Sequence, residues 1–179
     1  MRSVAGLEAQ FNPGIPSPEL ELTLPQLLDQ AAEAWPDGPA INFFQTPGSR
    51  VSFAELKQRA DALAGGLASA GVRHGTPVCV VLPNVMAFPV AWLAIARLGA
   101  VMVPINPGFT VDEIRFVVED AQSRLVIADV SFAPTLLEVG LAPEGHLFAC
   151  DSEARTFGPF GGAPLPGGSL PIWSSPDPD

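Results

Sequence analysis

The chain has 179 residues, 47% of them hydrophobic and 16% charged, and it carries a net charge of −10. This composition supplies the apolar core of one ordinary domain and excludes a chain that is disordered throughout. The negative charge disfavours nucleic acid and anionic membrane surfaces as partners, because their phosphate groups repel an acidic protein.

The cysteines and the N-terminus indicate a reducing compartment. Cys79 lies in an apolar run and is predicted to be a small buried side chain, and neither it nor Cys150 has the spacing of a metal site. Residues 1–18 lack the apolar stretch of a signal peptide. We therefore expect a cytoplasmic protein.

The first predicted element is a helix that follows a loose, polar and Pro-rich segment, residues 1–22. Thr23 and Gln26 have the spacing of a capping box, in which each side chain accepts from the other residue's backbone N–H. Pro36 ends the helix. The apolar side chains predicted to share one face are Leu24, Leu27, Leu28, Ala31 and Trp35.

A hairpin and a second helix come next. Residues 40–44 are predicted to form a strand, Pro47 and Gly48 a turn, and residues 51–53 the returning strand. Ser52 and Glu55 form a second capping box and Gly71 a left-handed helix end. The apolar face between them consists of Leu56, Ala60, Leu63, Leu67 and Ala70.

Strands and helices then alternate. Residues 78–82 form an apolar run without alternation, which predicts a strand buried on both faces. Asn84 is predicted to cap a helix that runs to about Leu98, and Gly99 ends it. Residues 101–103 are predicted to be a second buried strand, stopped by Pro104.

The alternation continues to about residue 150. Thr110 and Glu113 form a third capping box, and residues 125–128 a third buried strand. A short helix at 134–139 and a weak strand at 147–149 complete the pattern. The side chains predicted to face inward from the third capped helix are Ile114, Val117, Val118 and Ala121.

This order predicts an α/β fold, namely part of a doubly wound, mainly parallel sheet with flanking helices. The strand order cannot be derived from the sequence. Residues 77–96 contain no charge over the length of a membrane span, but Pro83, Asn84 and Pro89 interrupt them, so a buried strand and a buried helix are favoured. The predicted organisation is a loose segment at 1–22, an incomplete α/β subdomain at 23–150, and a Pro- and Gly-rich loop or linker at 151–179 that includes turn breakers at residues 157–162.

Several motifs follow one another within residues 51–129. Residues 51–56 read Val-Ser-Phe-Ala-Glu-Leu, residues 71–78 read Gly-Val-Arg-His-Gly-Thr-Pro-Val, and residues 82–84 read Leu-Pro-Asn. Leu-Gly-Ala-Val at 98–101, Val-Pro-Ile-Asn-Pro at 103–107, Glu-Ile at 113–114 and Ala-Asp at 128–129 follow. In this order the set resembles the N-terminal part of an acyl-CoA synthetase, a member of the adenylate-forming, AMP-binding superfamily. Thr76 stands where that family commonly has Asp, and Ser52-Phe53 where it commonly has Thr-Tyr.

Each of these motif residues also has a structural role that we favour over ligand contact. Gly71 and Gly75 permit a tight turn, and Pro104 and Pro107 fix an extended exit from a strand. Asn84 would lie at the carboxyl end of a strand, where ligands bind in α/β folds. We therefore assign no catalytic, cofactor-binding or metal-binding residue to the chain.

The resemblance implies ATP-dependent activation of a carboxylic acid, expected to be a fatty acid, and its transfer to CoA by a longer parent enzyme. ATP, Mg²⁺ and CoA are the implied cofactors and substrates. The family's phosphate loop, of the Thr-Ser-Gly-Thr-Thr-Gly type, does not occur in the sequence, and neither does its Tyr-Gly-x-Thr-Glu motif, because the chain has no Tyr. The family's ribose-binding Asp and C-terminal Lys are missing as well. We expect a fragment that ends just before the phosphate loop, binds none of these molecules tightly and is inactive by itself.

Other polar residues receive structural interpretations. His74 and His146 are predicted to be solvated turn residues. A triad of Ser52, His74 and Asp61 is rejected because Ser52 already has a capping role and no Gly-x-Ser-x-Gly motif is present. The tryptophans Trp35, Trp92 and Trp173 are assigned to packing rather than base stacking, and Glu119 and Asp120 are adjacent on a helix and cannot face one site together.

Two alternatives remain open. The chain could be a non-catalytic interaction module, or half of a split ligase that assembles with a separately encoded remainder. It could also be an unrelated flavodoxin-like nucleotide-binding domain. In either case an incomplete sheet leaves an unpaired edge, which predicts poor solubility without a partner.

Overall fold

The computed structural model describes residues 22–43, 50–141, 147–150 and 157–159, and only the backbone of the last two ranges. The helices are α1 (Leu24–Ala34), α2 (Phe53–Ser69), α3 (Ala87–Arg97), α4 (Val111–Asp120) and α5 (Ala133–Val139), with a 3₁₀ turn at Val130–Phe132. The strands are β1 (Pro39–Asn42), β2 (Arg50–Ser52), β3 (Pro77–Val81), β4 (Val101–Pro104), β5 (Leu125–Asp129), β6 (Leu147–Cys150) and β7 (Phe157–Pro159).

The strands form two sheets. The larger has the order β4-β3-β5-β6-β7, parallel from β4 to β6 and antiparallel between β6 and β7. In its centre Cys79 pairs with Val103 on one side and with Val126 on the other. The smaller sheet is the antiparallel hairpin of β1 and β2. The α/β prediction with a mainly parallel sheet is therefore confirmed.

Helices cover both faces of the larger sheet. Alternate residues of β3 and β5 enter two separate clusters: Val80 and Ile127 pack with α1, α2 and α3, whereas Cys79 and Val126 pack with α4 and α5. The chain passes from β3 through α3 to β4, which lies beside β3. It then passes from β4 through α4 to β5, which lies on the other side of β3. Opposite directions on opposite faces give both crossovers the same hand, as the rule for parallel units requires.

The predicted helix ends are formed by the expected side chains. All three capping boxes are present, at Thr23, Ser52 and Thr110. Gly71 has φ +92°, and the hydrogen bonds from Gly71 N to Ala68 O and from Val72 N to Leu67 O form the two-bond helix end typical of a left-handed glycine. Leu67 and Val72 are both buried, so this helix end is also anchored in the core.

Asn84 does not cap α3, contrary to the prediction. The helix begins at Ala87 after Met86, which makes no side-chain capping bond. Pro89 explains the later start, because it lacks an N–H and fits only in the first turn, where that donor has no intrahelical partner. A helix begun directly after Asn84 would place Pro89 beyond that turn.

Predictions of burial are wrong at Val101 and Trp35, and Leu27 and Ala70 of the predicted apolar helix faces are also exposed. Val101 is 51% exposed because β4 is the edge strand of the described sheet and pairs there only with β3. That position also lets the strand include Pro104, whose missing N–H an edge strand tolerates. Trp35 is 66% exposed because its backbone has already left the helix at φ −139° and ψ 61°, which turns the side chain off the apolar face.

The predicted breaker at Phe157–Pro159 is a further error, because these residues form β7 against β6. Backbone pairing with β6 holds these residues as a strand although Gly158 and Pro159 have low strand propensity. The rest of the predicted linker, the loose segment up to residue 21, the turn at Pro47 and Gly48, and the side chains of His146 and Trp173 lie outside the described residues. The boundaries at 22 and 150 therefore stay predictions.

Within the described ranges, no helix combines the length and the apolar character needed to cross a bilayer. The charge-free stretch at residues 77–96 divides into β3 and α3, which confirms the preference for a buried strand and helix.

Candidate functional site

The topology creates a crevice at the carboxyl ends of β3 and β5. These strands are neighbours, but the chain leaves β3 towards β4 on one side and leaves β5 towards β6 on the other. The connecting segments therefore diverge at this point of the sheet. Such a reversal of strand order is where open α/β sheets bind ligands.

Three described segments border this edge of the sheet, and polar side chains in two of them bond within their own segment. Asp129 is buried at the end of β5, and its Oδ1 accepts hydrogen bonds from Ser131 N at 2.9 Å and Ser131 Oγ at 2.6 Å. After β4, Asn106 Oδ1 accepts a hydrogen bond from Gly108 N at 2.9 Å. Asn84 follows β3 and is exposed. The segments after β4 and β5 thus hold their own shape by side-chain to backbone bonds.

The charges of the three described segments do not by themselves form a site for a metal nucleotide. Residues 82–86, 105–110 and 129–132 contain no Lys or Arg, and their one carboxylate is that of Asp129. Phosphate sites need cationic side chains or convergent backbone N–H groups, and Mg²⁺ prefers several oxygen ligands. The side chains that the structure describes bring no three His, Cys, Asp or Glu together in the manner of a metal site.

The residues of the rejected triad have separate roles. Ser52 Oγ accepts from Glu55 N at 3.2 Å in the capping box of α2. Asp61 lies in an ion-pair cluster with Lys57 at 2.5 Å. His74 is an exposed turn residue, as predicted, and packs beside Gly99. The structure does not bring these three side chains together as a catalytic unit.

That cluster, formed by Asp29, Lys57, Asp61 and Arg97, joins α1, α2 and α3. Arg97 donates from Nη1 to Asp29 Oδ2 at 3.0 Å and from Nη2 to Asp29 Oδ1 at 2.8 Å. Arg97 Nε also lies 2.6 Å from Asp61 Oδ1, which makes a second ion pair of the same guanidinium. Sequence reasoning missed the cluster, although the four-residue spacing of Lys57 and Asp61 was a usable signal.

The cluster shifts the ionisation of its members. The hydrogen bond from Arg97 lowers the pKa of Asp29 below its ordinary value, and the same bond raises the pKa of Arg97. The hydrogen bond to Asp61 raises the pKa of Lys57. Every shift favours the charged form, which is the pattern of a stabilising network rather than of a proton-transfer site.

Cys79 is fully buried in the middle of β3, as predicted. Burial raises the pKa of its thiol, which suppresses the reactive thiolate. Its backbone N–H donates to Ser123 Oγ at 3.2 Å, and the Ser123 hydroxyl lies 3.0 Å from Pro77 O and 2.8 Å from Leu125 O. Ser123 therefore ties the amino ends of β3 and β5 together, a role that the sequence did not reveal.

Thr76 stabilises the turn before β3, at the position where the family commonly has Asp. Its Oγ1 accepts from Arg73 N at 2.9 Å, and its own N–H donates to Arg73 O at 3.0 Å. Gly75 N donates to Gly99 O at 2.8 Å, which fixes this turn to the end of α3. A hydroxyl can accept the same bond as a carboxylate, so this departure from the family pattern leaves the turn intact.

Comparison with known proteins places the chain in a family. A family model described as AMP-binding enzyme matches residues 28–156. A salicyl-AMP ligase / salicyl-S-ArCP synthetase of Mycobacterium tuberculosis is 40% identical over 112 residues, which cover 61% of this chain and 20% of that protein. A long-chain-fatty-acid–CoA ligase of Salmonella typhimurium is 31% identical over 139 residues, which cover 77% and 23%.

The fold comparison agrees with this result. The crystal structure of the N-terminal domain of FACL13 from Mycobacterium tuberculosis matches 82% of this chain and 39% of that one, with a TM-score of 0.66 and 26% identity. The chain thus spans about a fifth to a quarter of the length of the two curated relatives described above. Because the family model covers most of the described α/β unit, the chain belongs to the AMP-binding enzyme family, whose members are adenylate-forming ligases.

Proposed function

We propose that this chain is the N-terminal scaffold of a ligase that converts a carboxylic acid into its CoA thioester. In the first step a carboxylate oxygen attacks the α-phosphorus of ATP, forming an acyl-adenylate and releasing pyrophosphate. In the second step the CoA sulfur attacks the acyl carbon, and AMP leaves. The observation that carries the proposal is the family match over residues 28–156, which includes β3 to β6 and the switch point.

The described residues support a positioning role in this reaction. β3 and β5 are paired with each other and largely buried, and the loops after β4 and β5 are held by side-chain to backbone hydrogen bonds. A rigid edge of this kind can orient a bound acid or nucleotide that other groups hold. Mg²⁺ would neutralise phosphate charge in the reaction, and the three described edge segments offer it one carboxylate, that of Asp129.

It follows that residues 1–179 alone would bind ATP, Mg²⁺ and CoA weakly and would show no ligase activity. Stabilising the charge that develops on the phosphates requires donors and cations that the three edge segments lack. We further propose that the acid is a fatty acid, in line with the long-chain ligase that matches 77% of the chain. The salicyl-AMP ligase makes an aromatic acid the competing choice.

The test is acid-dependent exchange of labelled pyrophosphate into ATP by purified residues 1–179 with Mg²⁺. The long-chain ligase of Salmonella typhimurium serves as positive control, and a fatty acid and salicylate are supplied in separate reactions. No exchange above the background without acid is expected from the chain alone. Exchange that depends on either acid would overturn the proposed inactivity, and the preferred acid would then identify the substrate class.

A second candidate is half of a split ligase. The observation that favours it is the edge strand β4, which pairs with β3 alone in the described part of the sheet and leaves Val101 exposed. Co-purification with a separate chain that carries a phosphate loop, with restored pyrophosphate exchange in the mixture, would support this assembly. A mixture in which both chains are folded but do not associate would count against it.

A further inference from the structure

An open apolar groove lies on the side of the larger sheet that α1, α2 and α3 cover. Its volume is about 380 Å³, and every side chain that lines it is apolar. Its walls include Leu24, Leu27 and Leu28 of α1, Ile41 of β1, Phe53 of α2 and Trp92 of α3. A dry cavity of about 150 Å³ is enough to hold benzene, so this groove has room for an aromatic side chain as large as tryptophan.

A half-exposed aromatic ring stands at this groove. Trp92 is 48% exposed, and Leu27, on another wall, is 41% exposed. On α3 the residues three or four positions from Trp92 include Phe88, Pro89 and Ala96, so the helix places no charge around the ring. A ring that projects beside a hole on the same face suits a two-fold contact between identical copies, because each copy supplies both parts.

The charges of the two helical faces indicate which one a second copy can approach. α1, α2 and α3 carry four carboxylates and three cations, and Asp29, Asp61, Lys57 and Arg97 among them pair with one another. α4 and α5, on the opposite face, carry five carboxylates and one arginine. Because the chain has a net charge of −10, two copies meet with the least repulsion on the nearly neutral face of α1, α2 and α3.

The two faces differ in the same way around their exposed aromatic residues. The groove brings Trp92 and Phe53 together without a charged lining residue, which is typical of the centre of a protein interface. Phe116 of α4 is more exposed, at 68%. Four carboxylates surround it at the positions three or four residues away, namely Asp112, Glu113, Glu119 and Asp120. An acidic copy of the chain is therefore repelled from Phe116 but not from Trp92.

We propose that the chain forms a symmetric dimer through the face of α1, α2 and α3, in which Trp92 of each copy inserts into the groove of the other. The contact covers Trp92 and Leu27 in both copies at once. Since each copy keeps its acidic opposite face, a long-range repulsion remains between them, and added salt strengthens the dimer by screening it. This association does not depend on the proposed ligase activity.

Sedimentation velocity of residues 1–179 over a range of protein concentrations tests the proposal. We expect a monomer–dimer equilibrium in which the dimer predominates at about 100 μM chain, with a larger dimer fraction in about 0.5 M salt than in about 0.05 M. W92S should raise the dissociation constant about tenfold or more, as for the loss of a central tryptophan. L27S should act in the same direction. F116S is the matched control, because it removes a more exposed aromatic ring from the acidic face, and it should change the constant less than about twofold.

A second readout locates the contact. In the W35F/W173F background Trp92 is the sole tryptophan, and its emission should move to shorter wavelength as the protein concentration rises, because the ring leaves water. Circular dichroism establishes that each variant is folded. A chain that stays monomeric at about 100 μM would overturn the proposal, and protection of Trp92 from acrylamide in that monomer would assign the groove to the chain's own residues or to a bound apolar molecule. A dimer that W92S and L27S leave intact, or that F116S weakens as much as they do, would overturn it as well.

Discussion

Arg97 and Asp29 are 68 positions apart in the sequence and form a two-pronged ion pair that joins α3 to α1, with N–O distances of 3.0 and 2.8 Å. The fork of the guanidinium matches the two carboxylate oxygens, which a lysine could not reproduce. The side chain of Arg97 is 23% exposed, so water only partly screens the contact.

Replacing Arg97 with Ala should lower the free energy of unfolding by about 1–2 kcal/mol, because Asp29 and Asp61 then keep their charges without this partner. R97K should recover part of the loss. Urea unfolding followed by circular dichroism measures both. The control is R50A, an exposed residue of β2, which should change the free energy by less than about 0.5 kcal/mol. Equal effects of R97A and R50A would mean that the ion pair contributes nothing measurable.

The ion pair also predicts a pH dependence of stability. The pKa of Asp29 lies below its ordinary value of 3.8 in the folded chain, chiefly because of the hydrogen bond from Arg97. A lowered folded pKa gives a stabilisation that is fully present above the unfolded pKa and is lost as the pH falls through the folded one. The contribution of Asp29 should therefore decline from about pH 5 downwards.

The measurement is urea unfolding of the wild type and D29N at several pH values between about 7 and 3. D29N should be less stable near neutral pH, and the difference between the two proteins should shrink towards the acid end. The difference in stability between R97A and the double variant R97A/D29N should be small at neutral pH as well, because R97A removes the main cause of the lowered pKa. A difference that stays constant over the whole range would contradict the assigned cause.

Two glycines should respond in opposite directions to substitution by Ala. Gly99 has φ +62°, and an added Cβ would lie 2.6 Å from His74 Cδ2. G99A should lower the free energy of unfolding by about 1–3 kcal/mol. Gly65 lies inside α2 with no atom within 4 Å of an added Cβ, so G65A should raise it by about 0.5–1 kcal/mol.

Thermal unfolding of both variants tests this contrast. The double variant G99A/H74A should recover part of the loss, since it removes the clash but leaves the left-handed backbone. If G99A is neutral, or if G65A destabilises the chain as strongly as G99A, the assigned conformations are incorrect.

Ser52 should act as a helix cap and nothing more. S52A removes the acceptor for Glu55 N and should cost about 1 kcal/mol of stability. S69A, at the other end of α2, removes only a bond to the Gly65 carbonyl and should have less than half that effect. Urea titrations of the two variants give the comparison. A smaller loss of stability for S52A than for S69A would contradict the assignment of Ser52 as the helix cap.

Local signals predicted a large part of this fold. The capping boxes at Thr23, Ser52 and Thr110 were correct because each involves residues three positions apart in the chain. The uninterrupted apolar runs of β3 and β5 predicted central strands, since only a strand buried on both faces can use them. The family motifs extended these local predictions to the α/β fold of the whole described unit.

The error at Val101 and the missed contacts of Arg97 and Ser123 have a cause that is not local. Whether Val101 is buried depends on which strands flank β4, and the strand order follows from the direction of the crossovers rather than from the apolar run itself. Asn84 and Ala87 compete as helix starts, and Pro89, five residues after Asn84, decides between them. The contacts of Arg97 with Asp29 and of Ser123 with Cys79 join residues that are distant in the sequence.

The candidate site was only partly predictable. The sequence placed Asn84 and Pro104 near the carboxyl ends of their strands, but the crevice depends on β5 lying beside β3, which required the topology. The self-bonded state of Asp129 and Asn106 depends on side-chain rotamers that the sequence does not specify.

The most direct test of the scaffold role is a chimera. Residues 28–156 replace the matching segment of the long-chain-fatty-acid–CoA ligase of Salmonella typhimurium, and acid-dependent pyrophosphate exchange is measured with a fatty acid. If this unit is an interchangeable scaffold of an adenylate-forming ligase, the chimera exchanges pyrophosphate, and the same host with the segment deleted does not. A chimera that is folded and binds ATP but shows no acid-dependent exchange would contradict that claim.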